Sequence, residues 1–180
     1  GRCAGFKRQG TASFKLQIRA LISSGADMLC VETMTDTAEA VLAVKAARAV
    51  SPNTPVMATL TFQKSPRGFL TIMKDSVGDA AEALTQAGAD IVGSNCGNGM
   101  EDMVAIAREF RAATRAPIAI QGNAGLPVAG ENGLVYPETP EFMAAKAMEL
   151  LDIGVSIIGG CCGTGPEHIR ALRQAVDVRR

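Results

Sequence analysis

A glycine-centred pattern recurs three times and restricts the fold more than any other feature. It reads "SSGADMLCVET" at 23 to 33, "QAGADIVGSNC" at 86 to 96 and "DIGVSIIGGCC" at 152 to 162. In each copy a glycine stands where a helix would end, followed by a small or β-branched residue, a polar residue and a short apolar run. Glycine at a left-handed helix end followed by a nearly all-apolar strand is the helix-to-strand junction of a parallel sheet covered on both faces. Gly25, Gly88 and Gly154 recur at intervals of 63 and 66 residues. A further apolar run lies within each interval, "PVMATLTF" (55 to 62) and "APIAIQGN" (116 to 123). Each interval therefore holds two strand-plus-helix units of about 32 residues, the length of a βα repeat.

The pattern predicts strict alternation. Helices are expected at 11 to 24, 36 to 50, 76 to 87, 100 to 114, 139 to 152 and 165 to 176, and strands at 28 to 32, 55 to 61, 90 to 94, 117 to 121 and 155 to 159. Asp36 with Glu39, Thr139 before Pro140, and Thr164 with Glu167 supply helix-start signals. The longest stretches without periodicity, "QKSPRGFL" and "AGLPVAGENGLVYPE", both follow strands, on the side where α/β proteins place their sites. The expected class is α/β of the (β/α)8 TIM-barrel type, present as a C-terminal portion of about five βα units. A doubly wound open sheet is the alternative that counting leaves open. The chain begins with Gly, not Met, and with the repeat count this suggests a piece of something longer. Residues 1 to 13 are expected to form an N-terminal tail, and residues 14 to 180 the domain.

Composition narrows the partners. Lys plus Arg and Asp plus Glu number 18 each, so no charge excess points to nucleic acid or to an anionic membrane. Apolar residues make up 47%, yet no uninterrupted run reaches the about 20 residues of a membrane span. A cytoplasmic protein with a small-molecule ligand is expected. Five cysteines, an odd number, suit metal binding, catalysis or burial better than a disulfide framework.

Residues at or just past the strand ends are Glu32, Thr59 and Thr61, Asn95 and Cys96, Asn123, and Cys161 and Cys162. In a barrel these ends converge on one mouth. Cys96 and the pair at 161 and 162 are expected two strands apart, near enough to share one ion. Three thiolates without a neighbouring histidine suit Zn²⁺, with a fourth position open as in catalytic sites. Both members of the pair reach one ion only if the chain turns there, and Gly159, Gly160 and Gly163 permit it. Three thiolates leave the ion with a net charge of −1, a poor generator of hydroxide that still lets a bound thiolate act as a nucleophile. The chemistry so implied is sulfur alkylation. Bland roles fit the rest: Cys30 as a core residue, Cys3 without a role, Thr59 and Thr61 as barrel filling, and His168 as a structural support.

"GSNCG" (93 to 97), "GNAG" (122 to 125), "ENGLVYPETPEF" (131 to 142) and "GGCCGTGPEHI" (159 to 169) resemble the zinc-dependent homocysteine S-methyltransferases, from about residue 14 to the end. The resemblance implies a (β/α)8 barrel that binds zinc through Cys96, Cys161 and Cys162 and methylates homocysteine to methionine. Glu32 in "VETMTD" matches the acidic residue that holds the homocysteine amino group. Asn123 matches the asparagine that fills the fourth metal position until the substrate thiolate replaces it, and Asn95 is a further candidate substrate contact. Here Cys96 is followed by "GNGM" and Asn123 is preceded by Gly122, both departures from the family pattern. The family's opening strands are missing from this chain. The family draws on several methyl donors, and methylcobalamin carried on a separate domain or protein is one of them. A corrinoid-binding domain, or a chain that completes the barrel, is the implied macromolecular partner. Two alternatives stay open: a non-catalytic or partner-completed segment with structural zinc, and methyl transfer to a different small thiol or selenol.

Overall fold

The computed structural model describes residues 2 to 131 and 133 to 179, with side chains from Gly10 onward. Helix α1 (Arg2–Ser23) leads into β1 (Leu29–Met34), α2 (Thr37–Val50) and β2 (Val56–Leu60). After β2 comes a small hairpin of β3 (Gln63–Ser65) and β4 (Gly68–Leu70), then α3 (Val77–Ala87), β5 (Ile91–Asn95), α4 (Met100–Ala113) and β6 (Ile118–Gly122). A second hairpin, β7 (Val128–Gly130) and β8 (Gly133–Val135), precedes α5 (Pro140–Ile153), β9 (Ile157–Gly160) and α6 (Pro166–Val178). The five βα repeats lie where the glycine pattern places them. Helix α1 begins nine residues before the expected start at 11, and Cys3 lies outside the described side chains.

The helix ends follow local chemistry. Asp36 caps α2 by accepting from the Ala38 and Glu39 backbone N–H groups. Ser76 and Asp79 form a reciprocal capping box on α3 that the sequence reading did not name. Thr139 accepts from the Phe142 N–H with Pro140 in the first turn of α5. Gly88 and Gly154 close α3 and α5 in the left-handed conformation, as the repeat requires. At α6 the expected Thr164 cap is displaced by one residue: Gly165 is the N-cap, and its N–H donates to Nδ1 of His168 at 3.0 Å. Thr164 is drawn away because its hydroxyl donates to the Cys161 carbonyl at 2.7 Å.

Strand order in the main sheet is β1-β2-β5-β6-β9, all parallel. The order follows the chain without reversal, so there is no topological switch point of the kind a doubly wound sheet needs. Consecutive helices pack side by side along one face. This is the winding of a barrel wall.

Register assigns the two faces, because residues abreast in a parallel sheet share a face and alternate along each strand. Leu29, Val56, Ala58, Leu60, Val92, Ile118 and Ile120 face the helices and are buried. They meet the close-packed alanines of α2 and α3, the methionines Met100 and Met103, and Phe110, whose ring stands edge-on to Phe62 at 5.8 Å. Cys30, Met57, Thr59, Gly93, Asn95, Gln121 and Gly159 share the inner face. Cys30 is therefore not the core residue expected from the sequence. It is exposed, because β1 is an edge strand and Cys30 faces the unclosed barrel interior.

The two stretches expected to be irregular are antiparallel hairpins. Ser65-Pro66-Arg67-Gly68 is a turn whose left-handed Gly68 starts the return strand, and it was legible as one. Each open edge of the main sheet carries an apolar groove: about 320 Å³ beside β1, lined by Phe14, Ile18 and Leu29, and about 330 Å³ beside β9, lined by Ile157, Ile158 and Leu172. Among the described residues no helix is long and apolar enough to cross a membrane.

Candidate metal centre

The C-terminal ends of β1, β2, β5, β6 and β9 meet at one side of the sheet, and Asn95 is the hub of what gathers there. Its Oδ1 accepts from the Thr33 N–H at 2.8 Å and from the Thr59 hydroxyl at 2.7 Å. Its Nδ2 donates to Thr33 Oγ1 at 2.7 Å and points at Cys161 Sγ, 3.9 Å away. The Thr61 hydroxyl donates to the Asn95 carbonyl at 3.1 Å. Asn95 is 2% exposed, and its carboxamide is occupied by these protein partners. The expected substrate contact is replaced in this arrangement by a brace across three strands. Thr59 and Thr61 are part of that brace, which gives them more than the filling role expected.

The backbone is held in unusual conformations at the same place. Thr33 and Cys96 have φ of 59° and 61°, and Gly97 follows Cys96 at 76°. A β-branched residue with positive φ is a genuine outlier, and such strain persists only where surroundings over-determine it. At Thr33 the surroundings are the two bonds to Asn95. At Cys96 the left-handed turn, with the Cys96 N–H on the Gln121 carbonyl at 3.1 Å, redirects the thiol over the sheet end.

After β9 the chain turns as the glycines allow. The Cys161 N–H donates to the Gly122 carbonyl at 2.8 Å, and the Cys162 N–H donates to Asn123 Oδ1 at 3.1 Å. Ala124 N–H returns a bond to the Cys162 carbonyl at 2.9 Å. Gly163 is left-handed. As a result the three Sγ atoms of Cys96, Cys161 and Cys162 lie within 4.8 Å of one another, with Cys96 and Cys162 at 3.7 Å. These cysteines are free. Among the described residues this is the group of side chains able to hold a metal ion. Burial, followed by the neighbouring Cys96, pushes the Cys161 thiol up to about 11.

The other sequence candidates are placed less centrally. Asn123 is buried, and its Oδ1 is engaged by the Cys162 backbone. Glu32 lies exposed near the end of β1 on the inner face, two residues from Cys30, whose thiol is raised by partial burial and by the Glu32 carboxylate. His168 stands apart from the thiols: Nδ1 takes the Gly165 N–H, so Nε2 is the donor to the Glu138 carbonyl at 3.1 Å.

Sequence reasoning missed three residues here: Thr33, Glu138 and Tyr136. Glu138 is part-buried, accepts from the Met100 N–H at 2.9 Å at the start of α4, and donates its own N–H to the Ala124 carbonyl at 2.9 Å. Burial and then Glu101 outweigh the bonds from Met100 and Gly125 and the Lys146 charge, and they raise its carboxyl above the ordinary value. Tyr136, the only tyrosine in the chain, lies with its ring against Gly163, the residue after the cysteine pair. A lone tyrosine before a proline in a loop that follows a strand was the available signal.

Two methionine synthases, from Mycobacterium tuberculosis and Mycobacterium leprae, are each 34% identical over 161 residues, covering 87% of this chain. The chain spans 13% of their length. The homocysteine methyltransferase MmuM of Escherichia coli, in its apo form, superposes with a TM-score of 0.70 at 22% identity, covering 92% of this chain and 57% of that one. Dihydrodipicolinate synthase of Acinetobacter baumannii superposes at 0.59 with 16% identity, covering 93% and 54%. At such identities the structures speak for the fold: the five-stranded wall is part of a TIM-type barrel. A family model described as homocysteine S-methyltransferase matches residues 7 to 176, nearly the whole chain, and by that match the chain belongs to the homocysteine S-methyltransferase family.

Proposed function

We propose that this chain is the zinc-holding, thiol-accepting part of a methyltransferase that moves a methyl group onto homocysteine and yields methionine. The observation that carries the reading is the convergence of three thiols from β5 and β9, within 4.8 Å of one another, at the C-terminal mouth of the sheet. That is the end of the barrel where this fold places its chemistry.

Two properties of the donor set suit Zn²⁺. Tetrahedral ligands at about 2.3 Å from the ion stand about 3.8 Å apart, close to the 3.7 Å between Cys96 and Cys162. A thiol pushed up to about 11 keeps its proton at neutral pH unless a cation takes the proton's place. Cys96, Cys161 and Cys162 would hold the ion, and the fourth position would fall to the substrate sulfur, or to Asn123 when substrate is away. Bound there, Zn²⁺ lowers the pKa of an incoming thiol so that its sulfur is nucleophilic near pH 7.

The chain's own residues do the rest. Asn95 holds Cys161 and the end of β1 in register, so the thiols converge before any ion arrives. Asn123 fixes the backbone of Cys162. Glu32, carboxylate outward on the inner face at the mouth, would take the substrate ammonium. The substrate sulfur forms a bond to the methyl carbon as the donor's bond to it breaks, and the thiol proton leaves to solvent. Methylcobalamin on a separate domain or protein would be the donor, as the family resemblance implies, and the setting would be cytoplasmic. The exposed edges at β1 and β9, each with its apolar groove, favour further strands or a partner chain that completes the barrel.

Cys162→Ala tests the reading. The variant is expected to lose stoichiometric zinc and methionine formation together, measured as metal-to-protein ratio and as product per enzyme. A variant that keeps both would sink the mechanism. Loss of turnover with zinc retained would point instead to a structural role for the ion.

A further inference from the structure

The three thiols ride on two loops that are distant in sequence. Cys96 opens the loop between β5 and α4, which ends at Gly99, the N-cap of α4. Cys161 and Cys162 lie in the loop between β9 and α6, which ends at Gly165, the N-cap of α6. Where these loops leave the sheet, Asn123 joins them, through its N–H to the Asn98 carbonyl and through Oδ1 to the Cys162 N–H. The direct contacts, Cys96 with Cys162 and Asn95 with Cys161, are made through sulfur and are weak ties by themselves.

Glu138, in the stretch between β8 and α5, makes a second join where the same loops enter their helices. Its Oε2 accepts from the Met100 N–H at 2.9 Å, at the start of α4, and its carbonyl accepts from His168 Nε2 at 3.1 Å, in the first turn of α6. Its own N–H donates to the Ala124 carbonyl at 2.9 Å, one residue past Asn123. His168 is buried, and its Nδ1 takes the Gly165 N–H at 3.0 Å, so the join extends to the end of the cysteine loop itself. Gly99 has no side chain with which to cap α4, and Glu138 supplies the missing acceptor from another segment. A Cβ at Gly99 would fall 2.2 Å from Glu138 Oε1, so any side chain there would collide with the carboxylate. Two residues before Glu138, the ring of Tyr136 lies on Gly163, where a Cβ would fall 2.1 Å from Cγ.

We propose that Glu138, acting with His168, is a positioning residue of the thiol site: it ties the helix-side ends of the two cysteine loops and so fixes the separation of Cys96 from Cys162. The inference rests on the zinc reading above for its meaning in the reaction, whereas the thiol separation itself can be read without a metal. If the loops are free to part, the same three thiols remain but are no longer preset, and the cost of ordering them falls on metal binding.

Glu138→Ala cuts the tie to α4, His168→Phe cuts the tie to α6, and Glu138→Gln keeps an acceptor for the Met100 N–H. In the reduced, metal-free chain, the Cys96–Cys162 crosslink made by dibromobimane and located by peptide mapping is expected to be lost in the first two variants and kept in the third. Zinc affinity, read by competition with a chromophoric chelator, is expected to weaken about tenfold in the first two, the lower end for residues that support metal ligands, and to recover in the third. Leu84→Ala opens a cavity at α3 and touches none of these bonds. It is expected to lower the urea midpoint while leaving crosslink and zinc affinity as in wild type. Wild-type crosslinking and zinc affinity in Glu138→Ala, or equal losses in Leu84→Ala, would overturn the inference and leave the zinc reading intact. A wild-type chain that binds no zinc would overturn the zinc reading, with the crosslink still deciding what Glu138 does.

Discussion

The two faces of the five-stranded sheet are built for opposite purposes. The outer face is finished: Val56, Ala58, Leu60, Val92, Ile118 and Ile120 are completely buried beneath the helices, which contribute buried side chains such as Val44, Leu84, Ile106 and Leu150. The inner face carries Cys30, Glu32, Thr59, Asn95 and Gln121; Thr59 and Asn95 are bonded across strands, Cys30 and Glu32 are left towards the unclosed interior, and Gln121 Oε1 is buried without a hydrogen-bond partner. The contrast teaches that this wall takes its stability from one side and its chemistry from the other. Substitutions should divide the same way.

The largest effect is expected from the outer face. Ile120→Ala removes a fully buried side chain in the middle of the sheet and should cost about 3 kcal/mol, the transfer loss plus an unfilled cavity. Ile157→Ala, on the inner face and only half-buried, should cost less than about 1.5 kcal/mol. Chemical denaturation of the two variants side by side measures the difference. Equal losses would mean that the interior is as well packed as the helix-covered face, and the contrast drawn here would fail.

Asn95→Ala probes the inner face where its bonding is densest. It strands the Thr33 N–H and the Thr59 hydroxyl and releases the left-handed Thr33, so a loss of about 2 kcal/mol is expected. The same variant should weaken zinc retention, because Cys161 loses its neighbour, and dialysis against a chelator reads this out. A variant that is destabilised yet holds zinc as wild type does would confine Asn95 to the fold.

The same division explains what could be read from the amino-acid order. The outer face was legible because burial on a covered sheet demands uninterrupted apolar runs, and the left-handed glycines at 25, 88 and 154 mark where each run begins. The three cysteines were legible because each stands at a strand end, where the fold itself brings distant residues together. Cys30 misled because an apolar run looks the same in an edge strand, and only the missing neighbour exposes it. Glu138 and Tyr136 lie in a loop without periodicity. Their roles come from contacts with residues 99, 124, 163 and 168, which no local pattern encodes.

Glu138 carries the smallest expected effect and the most exact test of how a loop is tied to the finished face. Its carboxyl is raised above the ordinary 4.5, mainly by burial, so the folded state prefers the protonated form. A raised carboxyl contributes stability that is complete below 4.5 and is lost as pH rises through the folded value. Acidification towards 4.5 should therefore stabilise wild type relative to Glu138→Gln, whose amide cannot titrate but keeps an acceptor for the Met100 N–H. At pH 7 the two proteins should differ by less than about 0.5 kcal/mol, with the glutamine form equal or slightly ahead. Urea midpoints of both proteins at pH 7 and pH 5 decide it. A glutamine variant clearly weaker at pH 7 would show that attraction of the carboxylate to the N-terminus of α4 outweighs the cost of its burial.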